Sequence, residues 1–139
     1  QLIRKRFPKS KIVGIDIKAL QKYPGTFLHG SILDTPTEIF LEHLGGQADL
    51  VMSDMAPNTT GNKSLDAIKT NELCLSILEF SNEMLDKNGV VISKLFMGDD
   101  FEEIKVYAKK TFKKIDFFKP NSSRDNSRET YIHCNRLNT

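Results

Sequence analysis

The 139-residue chain has little with which to staple itself together. Its two cysteines, Cys74 and Cys134, stand far apart and lack the paired spacing of a zinc site or a redox motif. That argues against a disulfide scaffold or a zinc ribbon and predicts reduced, buried thiols in a cytosol-like compartment. No apolar run approaches the length of a bilayer span, and the basic start, Gln1–Lys11, lacks the apolar block of a secretion signal. A soluble, cytoplasmic protein without a membrane partner is therefore expected. Internal repeats, low-complexity tracts and obvious linkers are also missing. Most telling is the lack of a glycine-rich turn after a first strand, where an open doubly wound sheet normally holds a nucleotide. Gly45-Gly46 precedes a strand instead of following one, and reads as a helix-to-strand connection.

What is present points to one α/β unit. Hydrophobic residues make up 39% of the chain, enough for a core at this length. The net charge is only +2, but it is unevenly spread. Residues 1–22 carry seven basic and one acidic side chain, residues 23–108 five and fourteen, and residues 109–139 eight and three. Positive ends on a nearly neutral chain suit a polyanion, because phosphate contacts come from Lys and Arg; solvated helix faces would look similar on charge alone.

Short apolar runs alternate with segments of helical period, the pattern of a parallel sheet flanked by helices. Strands are predicted at Lys11–Ile17, Thr26–Ile32, Ala48–Asp54 and Val90–Phe96. A helix is predicted over Ser64–Asp86, on the spacing of Ile68, Leu75, Leu78 and Leu85, with Asn88-Gly89 as its stop. A second should run from Asp99 to Thr111, with Asp99-Asp100 at its positive end and Lys109-Lys110 near its negative end. Lys114–Lys119 and Glu129–Asn135 then form an antiparallel hairpin around the polar loop Pro120–Arg128. Gln1–Phe7 reads as the last turns of a helix, so the chain is expected to start inside its domain.

Ligands of such sheets sit beyond the carboxyl ends of the strands. Asp16 ends the first strand, where an acidic side chain can accept hydrogen bonds from a ribose diol or simply cap a turn. Ser31 and Asp34 follow the second. Asp54 closes an apolar strand, a costly place for a carboxylate unless it has a purpose. Lys94 interrupts Val90–Phe96, which otherwise reads as a central buried strand, so it must find a carboxylate or an open cleft; an edge-strand lysine is the alternative. Glu129 begins the last strand just beyond a loop whose Ser123, Arg124 and Arg128 are equipped to hold phosphates and sugars. Two carboxylates and a lysine over one cleft suit transfer to a hydroxyl, with the lysine taking or orienting the proton.

Three segments together carry a resemblance. SDMAPN at 53–58, SKLFMG at 93–98 and KPNSSRDNSRETYI at 119–132 closely resemble motifs of the FtsJ/RrmJ family, bacterial large-subunit rRNA uridine 2′-O-methyltransferases, and the likeness extends in order along essentially the whole chain. It implies a Rossmann-like α/β fold for S-adenosylmethionine-dependent methyl transfer: one domain over residues 1–139, with a mixed sheet, an antiparallel C-terminal hairpin, and no counterpart of the family's first strand and glycine-rich loop. Family members use a Lys-Asp-Lys-Glu tetrad, of which Asp54, Lys94 and Glu129 match three members. The resemblance implies Lys94 as the central base or orienting cation, Asp54 between it and the cofactor, and Glu129 in support. Asp16, in GIDI, matches the acidic residue that binds the cofactor ribose. Where relatives have Gly-Asp, this chain has Gly30-Ser31, which leaves Ser31 to meet the adenine amino group and Ile32 to flank the ring.

By the same resemblance the cofactor is S-adenosylmethionine with no metal, and the substrate is a uridine ribose in the A-loop of large-subunit (23S) rRNA within the assembled subunit. The protein would act as a monomer. Alternatives are a tRNA 2′-O-methyltransferase of the same family and a catalytically inactive RNA-binding module. An oxidoreductase on a similar sheet would explain neither Lys94 nor the arginine-serine loop. In the family the absent strand lies between Lys11–Ile17 and Ala48–Asp54, so a chain without it should be unstable or aggregate.

Overall fold

In a computed structural model, residues 5–20, 22–55, 60–98, 101–119 and 129–136 are described. Contacts divide the chain into two compact units, Gln1–Gln47 and Ala48–Thr139. In the first, β1 (Val13–Asp16) and β2 (Thr26–His29) pair in parallel, Val13 opposite Thr26 and Asp16 opposite His29. Both strands are shorter than the apolar runs that contain them. Beyond Asp16 the ladder ends with Gly30 N–H donating to Asp16 O at 2.9 Å, and Ile17 is 69% exposed. After β2 the chain turns at once, the Ser31 carbonyl accepting from Asp34 N–H at 3.1 Å. Residues 5–6 are helical, as expected of the basic start, and residues 1–4 lie outside the described residues.

Sequence periodicity did not separate α1 (Thr37–Leu44) as an element, because two turns are too short for the spacing of Ile39, Phe40, Leu41 and Leu44 to repeat. Its signal is the Gly45-Gly46 pair. Gly45 closes the helix at φ +77°, and both glycine N–H groups donate to Leu41 O, at 2.9 and 3.0 Å. A left-handed residue at this point satisfies the last carbonyls, and glycine adopts it without a Cβ penalty.

The second unit runs β3 (Ala48–Ser53), α2 (Lys63–Met84), β4 (Leu85–Phe96), α3 (Phe101–Thr111), β5 (Lys114–Phe118) and β6 (Glu129–Asn135). Its sheet has the order β3-β4-β6-β5, with β3 and β4 parallel and β6 antiparallel to both neighbours. The mixed sheet with its antiparallel β5–β6 pair is the arrangement expected from the sequence. Asn62 starts α2 by accepting from Ser64 N–H and Leu65 N–H, both at 3.1 Å, a standard N-cap. The helix stops at Met84, not at Asn88-Gly89. Leu85 passes straight into extended conformation and pairs with Ala48; residues 86–89 then bulge opposite Asp49 before Leu50 meets Val90. Arg136 fastens the bulge, its guanidinium donating to Leu85 O at 2.9 Å and to Asn82 Oδ1, and its N–H to Gly89 O at 3.0 Å.

The buried side of α2 also differs from the predicted stripe. Ala67, Thr70, Asn71, Cys74, Ile77, Leu78, Ser81 and Met84 face inward, while Ile68 is 44% exposed and Leu85 belongs to β4. Small and hydrogen-bonded residues let the helix approach the sheet, and apolar spacing alone does not report that. The core joins this face to Val91 and Leu95 of β4, Ile104 and Ala108 of α3, Phe112, and Ile132 and Cys134 of β6. Glu102-Glu103 and Lys109-Lys110 occupy opposite ends of α3, each stabilised by the helix dipole. The predicted Asp99-Asp100 pair lies outside the described residues. On the other face of the sheet Leu50, Met52 and Phe118 are exposed, so β3 is buried on one side only, against expectation. Among the described residues no helix is long and apolar enough to cross a membrane.

Cys74 and Cys134 share this core as free thiols. Burial pushes Cys74 up to about 11, against a smaller opposing hydrogen bond with Ser93. Burial, then Cys74 and Asp116, push Cys134 up to about 12. The folded state thus holds both protons more tightly than the unfolded chain, whose thiols ionise near 9. Stability should be complete below pH 9 and fall between pH 9 and 11, by about 1 kcal/mol per pH unit for each thiol. Urea midpoints at pH 8 and 10 check this; the fall should shrink in Cys134→Ala, and an equal fall in that variant would contradict the assignment.

Candidate active site

The carboxyl end of β4 reads Ser93-Lys94-Leu95-Phe96. Strand alternation sends Ser93 and Leu95 into the core, 1% and 0% exposed, and turns Lys94 and Phe96 to the face opposite α2 and α3. β4 lies between β3 and β6, so Lys94 is not an edge-strand lysine. Lys94 Nζ stands 3.4 Å from Glu129 Oε2, with the two side chains 17% and 31% exposed. The antiparallel register sets this contact: Lys94 opposes Tyr131 and Phe96 opposes Glu129, which makes Glu129 a diagonal neighbour of Lys94 on the same face. An ion pair this open to water contributes only about 0–1 kcal/mol to stability, so folding alone gives little reason to place a lysine on a central strand.

Asp54 follows β3 by one residue. Ser53 pairs with Ser93 in parallel register, which brings Asp54 level with Lys94. Asp54 is exposed, so its position needs no compensation for burial. Its charge is nonetheless felt across the sheet. Burial raises the pKa of Tyr131, and the carboxylates of Glu129 and then Asp54 raise it further. Tyr131 therefore keeps its proton near neutral pH and can donate it in a hydrogen bond.

Two residues of this neighbourhood escaped the sequence reading. Tyr131 stands two residues from Glu129, and strand alternation by itself would have put them on one face. Asn71, on α2, carries no such signal. Beyond the Ser53–Ser93 pair β4 has lost its β3 partner, and the Asn71 amide takes over. Asn71 Nδ2 donates to Phe96 O and Phe96 N–H donates to Asn71 Oδ1, each at 2.8 Å, across twenty-five residues of sequence. The backbone just past Lys94 is thereby held by a buried side chain, 2% exposed.

In the first unit, Asp16 and the segment after β2 come side by side because β1 and β2 are parallel and in register. Asp16 is exposed, and its Oδ1 accepts from Lys18 N–H at 3.0 Å. A carboxylate offers about four lone-pair sites, so it retains capacity for ribose hydroxyls. Ser31 Oγ accepts from Leu33 N–H at 3.2 Å, and Ile32 is half-buried beside it. These donors and acceptors beyond two parallel strand ends fit a nucleoside. Ser123, Arg124 and Arg128 lie outside the described residues, as do residues 56–58 of the SDMAPN segment.

A family model described as FtsJ-like methyltransferase matches residues 1–137. The chain belongs to this family. It is 40% identical over 139 residues to the ribosomal RNA large subunit methyltransferase E of Pelagibacter ubique, covering 99% of this chain and 68% of that protein. With the enzyme of the same name from Desulfatibacillum aliphaticivorans it shares 38% identity over 125 residues, covering 88% of this chain and 60% of the other. A solved structure described as a ribosomal RNA methyltransferase from Plasmodium falciparum superimposes with a TM-score of 0.81 at 30% identity, over 96% of this chain and 77% of that one. The FtsJ-like chain spans between 55% and 68% of the length of these and further curated relatives of the same name.

Proposed function

We propose that this FtsJ-like chain serves S-adenosylmethionine-dependent 2′-O-methylation of a uridine ribose in the A-loop of large-subunit rRNA, within the assembled subunit. The observation that carries this reading is the Lys94–Glu129 pair at the carboxyl end of a central strand, level with Asp54. The names of the relatives support the substrate class, and the family model's extent across both units supports reading residues 1–139 as one domain. Work on rRNA would place the protein with the ribosome, in the cytoplasm, and the active form is proposed to be a monomer.

Asp16 would accept hydrogen bonds from the cofactor ribose, with Ser31 at the adenine amino group, Ile32 against the ring, and Asp54 on the side towards the methyl group. S-Adenosylmethionine supplies a methyl group already bound to a good leaving group, so positioning accounts for much of the catalysis. Lys94 Nζ orients the 2′-hydroxyl and, reacting as the free amine, takes up its proton, while Glu129 pairs with the ammonium so formed. Tyr131, kept protonated, donates to this cluster instead of competing as a base. Ser123, Arg124 and Arg128 are proposed to hold phosphates and sugars of the RNA.

Incubation of the intact protein with isolated large subunits, free rRNA or tRNA and methyl-labelled S-adenosylmethionine tests the reading. Label should appear on a uridine 2′-oxygen of the A-loop, resolved by nuclease digestion and mass spectrometry. Label on a base, or on tRNA alone, would overturn it.

A further inference from the structure

The row of side chains that crosses the sheet from Asp54 through Lys94 and Tyr131 continues to Phe118, the cross-strand partner of Tyr131 on edge strand β5. The Phe118 and Tyr131 rings lie 5.7 Å apart, 17° from parallel, and Phe118 is 43% exposed. The other described ring pairs, Tyr23–Phe27 and Phe101–Phe117, are inclined at 48° and 58°; ring quadrupoles favour both tilted and offset-stacked pairs. Phe118, stacked on Tyr131 and partly exposed on the edge strand, offers a flat aromatic shelf. A flat, exposed aromatic on an edge strand is an aggregation liability unless it has an occupant.

We propose that the Phe118–Tyr131 stack is a base-stacking subsite for one unpaired nucleotide of the RNA, either the target or its immediate neighbour. The proposal rests on the RNA-methyltransferase reading above and adds to it a place for the base. Two strand spacings, about 10 Å, separate β5 from Lys94 on β4, the scale of a single nucleotide. Exposed Lys113 and Lys119 flank β5 and exposed Lys114 is its first residue, which suits a phosphate backbone. Lys119 Nζ donates to Glu129 O at 3.1 Å, so one of these cations sits at the start of β6 beside the shelf. The carboxylate of β5, Asp116, is on the same face as Phe118, one row further from Glu129 and opposite His133. Unpaired RNA bases are recognised by stacking on aromatic side chains, an interaction that tolerates any base.

The test measures affinity of the intact protein for an A-loop RNA hairpin, unmodified or with each loop nucleotide in turn made abasic. Phe118→Leu keeps apolar bulk and hence the fold, and should bind the unmodified hairpin about five- to a hundredfold more weakly. Phe118→Tyr and Phe118→Trp should bind as the parent does, and the salt dependence should not change in any variant. At one loop position the abasic penalty should vanish in Phe118→Leu, a non-additive cycle that marks the stacked base. Parent-like affinity in Phe118→Leu, or additivity at every position, would overturn the subsite. Methyl transfer to large subunits is followed in parallel. Normal transfer with an additive cycle removes the shelf alone, whereas a non-additive cycle without transfer by the parent protein keeps the shelf and removes the methyltransferase reading.

Discussion

Replacing Lys94 by methionine should lower the rate of methyl transfer by about 10²- to 10⁴-fold, the range over which positioned acid–base groups act, while S-adenosylmethionine binds as before. Methionine keeps most of the aliphatic stem of lysine, so the packing of β4 should survive and the loss can be assigned to the ammonium. The charge left behind is Glu129, which is 31% exposed and can be solvated. Lys94→Arg should not restore the rate, since a guanidinium keeps its proton and has a different shape. Glu129→Gln should cost less than Lys94→Met, because it removes the partner that holds the lysine and leaves the lysine itself. Single-turnover transfer and equilibrium cofactor binding, measured side by side, separate these outcomes. Retained turnover in Lys94→Met would take Lys94 out of the chemistry.

Asn71→Leu should destabilise the protein by about 2–4 kcal/mol, although the two side chains are of similar size. Its amide is the partner of both Phe96 N–H and Phe96 O, in a position 2% exposed, and leucine leaves both backbone groups without one. Each buried group left unsatisfied costs about 1–3 kcal/mol. Urea unfolding should report the loss, and amide exchange at Phe96 should quicken more than exchange at Val91, which keeps β3 and β6 on its two sides. Because Phe96 is two residues beyond Lys94 on the same strand, the variant should also lose activity under conditions where it remains folded. An unchanged urea midpoint would mean that the Phe96 backbone finds another partner.

The α/β pattern was legible because four apolar runs, each bounded by turn residues, recur at intervals that helices fill. β6 was placed to the residue, Glu129–Asn135, since its alternation of inward Thr130, Ile132 and Cys134 with Glu129, Tyr131 and His133 is uninterrupted. The boundary between α2 and β4 was misread. Asn88-Gly89 carries a strong turn signal, yet the turn it makes is a bulge inside the ladder, held by Arg136 from the far end of the chain. α1, at eight residues, is too short for its apolar spacing to repeat. Lys94 was singled out because a cation is conspicuous in an apolar run, and its requirement for a carboxylate is met by Glu129.

The sequence by itself determined which segments form the sheet of the second unit, that its end is antiparallel, and that Lys94 interrupts an apolar strand and needs a carboxylate or an open cleft. Those properties are local, since they depend on period, on turn chemistry and on the cost of burying charge. Only the tertiary structure decided that Glu129 rather than Asp54 makes the described ion pair with Lys94, that Tyr131 stands between the lysine and Phe118, and that Asn71 replaces a missing strand partner at Phe96. The first two depend on the register between strands distant in sequence, and the third on how α2 packs against β4. A shift of one residue in that register would turn Glu129 and Tyr131 away from Lys94.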